Sequence, residues 1–278
     1  MPLVSLDELL PKASQNNYAV PGFNVVNLEM IMSAVRAAEA EKSPIIIEYT
    51  EDDGARIPLE YIGQFASCLA KKSDIPICVH LDHGNSLRAI MSAIKSGYSS
   101  VMYDGASLSF EENVKNTKRI VEVAKSIGVS VEAELGQIGP GEDNYTDPSL
   151  VEDFTKDTGI SALAVAIGTE HGVYKNKPKV DLKRLEDIKK ETETPLVMHG
   201  GSGLDTETYE KAIDIGVSKI NYYSAMSNKV TKRILNELQS ASEHHEIYLQ
   251  DSVDLELKYF EEEMKKTIRL FRKKELMN

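Results

Sequence analysis

Cysteine is scarce in this chain: Cys68 and Cys78 are the only two, and their spacing matches no metal-ligand pattern. Both are expected to be reduced packing residues, since free cysteine is among the most buried residue types. Long apolar runs are missing as well. None approaches the roughly 18 residues that a membrane span needs. The opening stretch, MPLVSLDELLPKAS, is acidic and amphipathic, so it is not expected to be a signal peptide, and the cytoplasm is the expected compartment. Positive charge is also in deficit. With 32 Lys+Arg against 44 Asp+Glu, the formal net charge is −12, which argues against a nucleic-acid partner. An anionic small molecule stays open, because a cleft can collect local positive potential on an acidic protein.

What is present is a repeated local plan. In KSGYSSVMYDG, KSIGVSVEAELG, DTGISALAVAIG and DIGVSKIN, a helix-like stretch ends at Gly97, Gly128, Gly159 or Gly216, and a short β-branched or apolar run follows. Glycine just past a helix end adopts the left-handed conformation without steric cost. The runs SPIIIEYT, IPICVHLD and TPLVMHG follow a proline instead, and AVPGFNV adds a strand near the start. The eight strand candidates centre near residues 20, 47, 79, 101, 131, 164, 197 and 220, with helical patterns between them. Strands alternating with helices imply a parallel sheet. Eight such units in 278 residues predict a (β/α)8 TIM barrel, with a doubly wound open sheet as the alternative. Ser5-Leu6-Asp7-Glu8 fits a capping box and predicts a short N-terminal helix. The chain reads as one domain, with the barrel over about 17–240 and a helical tail over about 241–278.

In such barrels the chemistry gathers where the strands end. Those ends read Asn24, Thr50, Asp82-His83, Asp104, Glu134, the GTEHG segment with His171, His199 and Asn221. Three of the six histidines fall there. Three imidazoles converging on one mouth suit a metal such as zinc, with a fourth position open to substrate. His80 lies deeper in its strand, and His244 and His245 fall in a polar helical tail where they should face solvent. Asp82, next to His83, is placed for acid–base work, while Asp104 and Glu134 suit either a second metal position or support of the ligands. His199-Gly200-Gly201-Ser202-Gly203 follows strand seven, where such barrels often bind phosphate, and Asn221 to Ser224 can close the other side. The loop GQIGPGEDNYTDP after Glu134 is suited to a lid, with Glu142 or Asp143 as a second proton-transfer group. Lys219 is the only lysine near a strand end; it lies two residues on the deeper side of Asn221, which disfavours a Schiff base.

Together, HLDH, VEAELG, AVAIGTEHG, PLVMHGGSG and KIN resemble, in order and spacing, the class II fructose-bisphosphate and tagatose-bisphosphate aldolases over residues 3–225. The resemblance implies zinc on His83, His171 and His199, with a second metal position matching Asp104 and Glu134. It implies Asp82 as the catalytic aspartate and Glu142 as the mobile-loop glutamate. Substrate contacts would come from Asn24, Gly172, Gly200, Gly201, Ser202, Asn221, Tyr222, Tyr223 and Ser224. Na+ or K+ near the phosphate, and a homodimer or homotetramer, are implied too. The implied reaction is reversible cleavage of a phosphorylated ketose to dihydroxyacetone phosphate and an aldehyde.

Three features depart from the family pattern. After strand eight the chain reads Asn221-Tyr222-Tyr223-Ser224-Ala225, without the usual acidic residue. The lid is short. The C-terminal stretch SEHHEIYLQDSVDLE lacks the arginine with which bisphosphate-cleaving members reach the far phosphate, and lysine or histidine does not replace a bidentate guanidinium. A ketose 1-phosphate therefore stands beside fructose and tagatose 1,6-bisphosphate as an expected substrate. The rival readings are a metal-dependent hydrolase on the same barrel and a non-catalytic aldolase partner subunit.

Overall fold

The computed structural model describes residues 2–139, 141–174, 176 and 178–272. Eight strands run β1 (Val20–Asn24), β2 (Ile45–Thr50), β3 (Ile77–Gly84), β4 (Ser100–Tyr103), β5 (Ser130–Leu135), β6 (Ala162–Val165), β7 (Leu196–Met198) and β8 (Val217–Tyr222). Each expected strand centre falls within one of them. They pair in parallel in chain order, and β8 pairs with β1, so the sheet is a closed barrel and the open-sheet alternative is excluded. The crossovers carry α2 (Leu28–Glu41), α3 (Leu59–Lys72), α4 (Leu87–Lys95), α5 (Phe110–Lys125), α6 (Val151–Thr158), α7 (Leu182–Lys190) and α8 (Thr206–Ile215). Gly97, Gly128, Gly159 and Gly216 all have positive φ at the helix-to-strand turns, as their position predicts.

Before the barrel comes α1 (Leu6–Gln15), opened by the expected capping box, with Ser5 N–H donating to Glu8 Oε1 at 3.1 Å. Its buried Leu6, Leu9, Leu10 and Ala13 cluster with the inward-facing Val20, Ile46, Cys78, Met102, Ala162, Ala164 and Val197. The helix thus plugs the end of the barrel where the strands begin. After β8 come α9 (Ser224–Ser242) and α10 (Leu249–Phe271). The last helix lies across α2: Ser33 Oγ donates to Leu257 O at 3.1 Å, and the Arg269 guanidinium grips both Glu41 carboxylate oxygens at 2.9 and 2.7 Å. Among the described residues, no helix is long and apolar enough to cross a membrane.

One packing expectation is corrected. Cys78 is buried inside the barrel, but Cys68 is exposed on the outer side of α3. The amphipathic face of that helix buries Ile62, Ala66 and Ala70 instead.

Candidate active site and metal centre

Along each strand the inward positions alternate, so the residues two apart form a column rising to the mouth. In β3 this column is Cys78, His80, Asp82; in β5 it is Ser130, Glu132, Glu134. A regular strand would turn His83 away from the space Asp82 faces. Yet Asp82 Oδ1 lies 4.0 Å from His83 Nε2. The backbone supplies the reason. His83 has φ +46°, a left-handed conformation unusual for a residue with a side chain, and the β3–β4 register slips between Leu81 and Gly84. This local strain delivers two neighbouring side chains to one place.

The rings of His83, His171 and His199 gather there. His83 lies 4.9 Å from His171 and 4.8 Å from His199, centroid to centroid, and His171 to His199 is 6.1 Å. His83 Nδ1 lies 2.8 Å from Asp104 Oδ2, and His199 Nε2 lies 2.8 Å from Glu132 Oε1. An ionised carboxylate can only accept, so each of those ring nitrogens carries the proton. The other two nitrogens, His83 Nε2 and His199 Nδ1, face each other across 3.0 Å, a separation that calls for a proton or a metal ion between them. Two lone pairs at that separation repel unless positive charge lies between them. With His171 offering a third nitrogen, the donor set fits a divalent ion that takes imidazole ligands.

The electrostatics point the same way. Burial disfavours a charged His83, but the Asp82 charge and the Asp104 hydrogen bond outweigh it and push the ring up to about 10. Burial opposes ionisation of Asp82 too, yet the neighbouring His83, His199 and Lys219 hold it well below the usual carboxylate range. Asn24 Nδ2 donates to Asp82 Oδ2 at 2.7 Å, and Asn221 Nδ2 to Asp82 Oδ1 at 3.3 Å. The carboxylate is therefore fixed in orientation and charged. Glu134 differs. Burial, reinforced by the Asp104 charge, pushes it up to about 8, and its Oε2 is buried without a hydrogen-bond partner. One nitrogen or oxygen from each of His83, Asp104 and Glu134 forms a second cluster within 4.8 Å.

One pocket is lined by Asn24, Thr50, Asp53, Asp82, His83, His171, Gly172, Gly200, Ser202, Asn221, Tyr223 and Ser224. Its far wall is stitched together by two links. Tyr174 Oη accepts from Glu170 N–H (2.9 Å) and donates to Gly200 O (2.7 Å), and Ala225 N–H donates to Ser202 Oγ (2.6 Å). A Cβ at Gly200 would come within 2.6 Å of Glu170 O, so the loops after β6 and β7 can approach this closely only with glycine there.

Three expected site residues are placed elsewhere. The Tyr222 ring faces the helical layer, 5.9 Å from Phe271, and its hydroxyl is hydrogen-bonded to Thr267. It follows inward-facing Asn221 by one residue, and the strand's alternation turns it outward; Tyr223 takes the pocket wall. Gly201 packs against β8, where a Cβ would lie 2.5 Å from Ile220 Cγ2, and it does not line the pocket. Glu142 stands exposed in a 3₁₀ turn, Glu142–Asn144, away from the pocket.

The sequence reading passed over Glu48 and Glu132 and saw Lys219 only as a rejected nucleophile. All three are fully buried, with Lys219 Nζ 2.7 Å from both Glu48 Oε1 and Glu132 Oε2. A signal was available. Each stands two residues before a polar strand end (Thr50, Glu134, Asn221), hence on the same inward column. Asp53, after β2, was also missed as a pocket residue; the strand-end Thr50, whose Oγ1 donates to Asp53 Oδ2 at 2.9 Å, lines the pocket with it.

With this geometry in view, the likeness to known proteins is informative. The family model for fructose-bisphosphate aldolase class II matches residues 4–275. A probable fructose-bisphosphate aldolase of Bacillus subtilis (strain 168) is 42% identical over 236 residues, covering 80% of this chain and 81% of that protein. The fructose-bisphosphate aldolase of Geobacillus stearothermophilus is 41% identical over 249 residues, covering 84% and 85%. Among solved structures, the YdjI aldolase of Escherichia coli K12 superposes with a TM-score of 0.88 at 32% identity, covering 97% of both chains. A barrel with this mouth and these relatives makes the chain an aldolase, a carbon–carbon lyase that belongs to the class II fructose-bisphosphate aldolase family.

Proposed function

We propose that the chain is a zinc-dependent aldolase acting on a ketose phosphate, with His83 Nε2, His171 and His199 Nδ1 as the metal ligands. The observation that carries this is the pair of imidazole nitrogens that face each other 3.0 Å apart beside the Asp82 carboxylate. When bound, zinc supplies a Lewis acid that polarises the ketose carbonyl. Asp82 takes the proton of the C4 hydroxyl as the C3–C4 bond breaks. The bonding pair stays with the three-carbon fragment as an enediolate, and the other fragment leaves as an aldehyde. Asn24 and Asn221 keep Asp82 aimed while this happens, and Asn24 also borders the substrate. Gly172, Gly200, Ser202 and Ser224 border the pocket where the dihydroxyacetone phosphate end would lie, with Tyr223 as a wall. Glu142 returns a proton to C3 once its loop swings over the mouth. Asp104 and Glu134, with His83, are the alternative or second metal position, and Na+ or K+ accompanies the phosphate. The same reading carries a homodimer or homotetramer in the cytoplasm.

For the substrate, the described residues that line the mouth include no lysine or arginine. This favours a ketose phosphorylated only at C1 over a 1,6-bisphosphate. Cleavage of a ketose 1-phosphate and of fructose 1,6-bisphosphate, each with and without chelator, tests both halves of the reading. The expected outcome is loss of activity on chelation, recovery with zinc, and a higher kcat/KM for the monophosphate. Activity that survives exhaustive chelation would end the zinc assignment, and a strong bisphosphate preference would end the substrate assignment.

A further inference from the structure

Beneath the three histidines lies a set of ionisable side chains that the chemistry above leaves unused. Glu48, His80, Glu132 and Lys219 are completely shielded from solvent. Charged groups in such a place are a cost that apolar residues of similar size would avoid, and the plug end of the same barrel shows that apolar filling works here. Their retention calls for a task.

Glu132 has two oxygens with two separate partners. Its Oε1 lies 2.8 Å from His199 Nε2, and its Oε2 lies 2.7 Å from Lys219 Nζ. Lys219 reaches on to Glu48 Oε1 at 2.7 Å. His80 faces the same carboxylate, with Nε2 3.7 Å from Glu132 Oε2, and its other nitrogen lies 2.8 Å from Ser100 Oγ. Room for the array is made by Gly22, where a Cβ would come within 2.6 Å of the Glu48 carboxyl.

We propose that Glu132 is a positioning residue for His199: it accepts the Nε2 proton, so the Nδ1 lone pair stays bare and aimed at the point it shares with His83 Nε2. Lys219, tied to Glu48, keeps Glu132 in place for this. The proposal rests on the reading of His199 as a metal ligand. A glutamine at position 132 cannot do the same work. Its amide must present N–H either to the Nε2–H of His199 or to the Lys219 ammonium, and either contact sets donor against donor.

The test is zinc affinity of the full-length protein, measured by competition with a chromogenic chelator, for wild type and Glu132→Gln. Loss of such an outer partner typically weakens metal binding about 10–100-fold, and a loss in that range is expected here. Thermal unfolding of the metal-free protein serves as the fold control. Should Glu132→Gln fail to fold, neutron diffraction from the zinc-loaded wild type decides alone: a deuteron is expected on His199 Nε2, shared with Glu132 Oε1, and none on Nδ1. An unchanged zinc affinity in folded Glu132→Gln, or a deuteron on Nδ1, overturns the proposal. A wild-type protein that binds no zinc would instead bring down the metal reading on which it stands.

Discussion

The two ends of the barrel interior are built from the same alternating strand positions and filled in opposite ways. At the end where the strands begin, Val20, Ile46, Cys78 and Met102 meet α1 in a dry apolar plug. At the end where they finish, the inward positions carry Glu48, His80, Asp82, Glu132 and Asn221. Burying a side chain at the first end stabilises the fold through apolar area removed from water. Burying one at the second end costs desolvation, which only close partners offset. The plug therefore holds the barrel together, while the charged half holds groups in fixed orientations. Position along one column separates stability from chemistry.

Substitutions that act on one half and spare the other put this division at risk. The largest effect is expected from Asp82→Asn. Removing the proposed proton acceptor should lower kcat about 10²–10⁴-fold, while the barrel still folds and unfolds cooperatively; steady-state kinetics and calorimetry on the same sample check both. Loss of stability without loss of kcat would mean that the charged half is structural.

Leu10→Ala probes the plug. Emptying a fully buried leucine site should cost about 2–5 kcal/mol of stability, read from urea unfolding, while kcat of the folded fraction is unchanged. Gly22→Ala addresses the boundary. Its Cβ would meet the Glu48 carboxyl, so overpacking of about 1–3 kcal/mol is expected, and here stability and zinc affinity should fall together. Smallest is Tyr222→Phe. It removes one hydroxyl from the helical layer, for about 1 kcal/mol, and KM should not move. A raised KM would return Tyr222 to the substrate pocket.

The order of strands, the turn glycines and the capping box of α1 were all readable from residue pattern, because each depends on the local chain: a helix end needs a left-handed residue, and a strand alternates with period two. The placement of the three histidines and Asp82 at strand ends was readable for the same reason. Tyr222 and Gly201 stand outside the pocket lining, within stretches whose other residues border it, since a stretch of four residues does not reveal which side chains turn outward. Glu142 fell in a loop whose position depends on contacts with the rest of the barrel.

By itself, then, the amino-acid order determined eight strand–helix units and which residue types crown each strand. Only the closed tertiary structure decided that His83 adopts a left-handed backbone and so joins Asp82, that Glu132 reaches His199 from β5 to β7, and that Lys219 joins Glu132 to Glu48. The last two pairings link strands far apart in the chain. They exist because closure and register bring particular columns face to face across the barrel, a geometry set by all eight strands together rather than by any one segment.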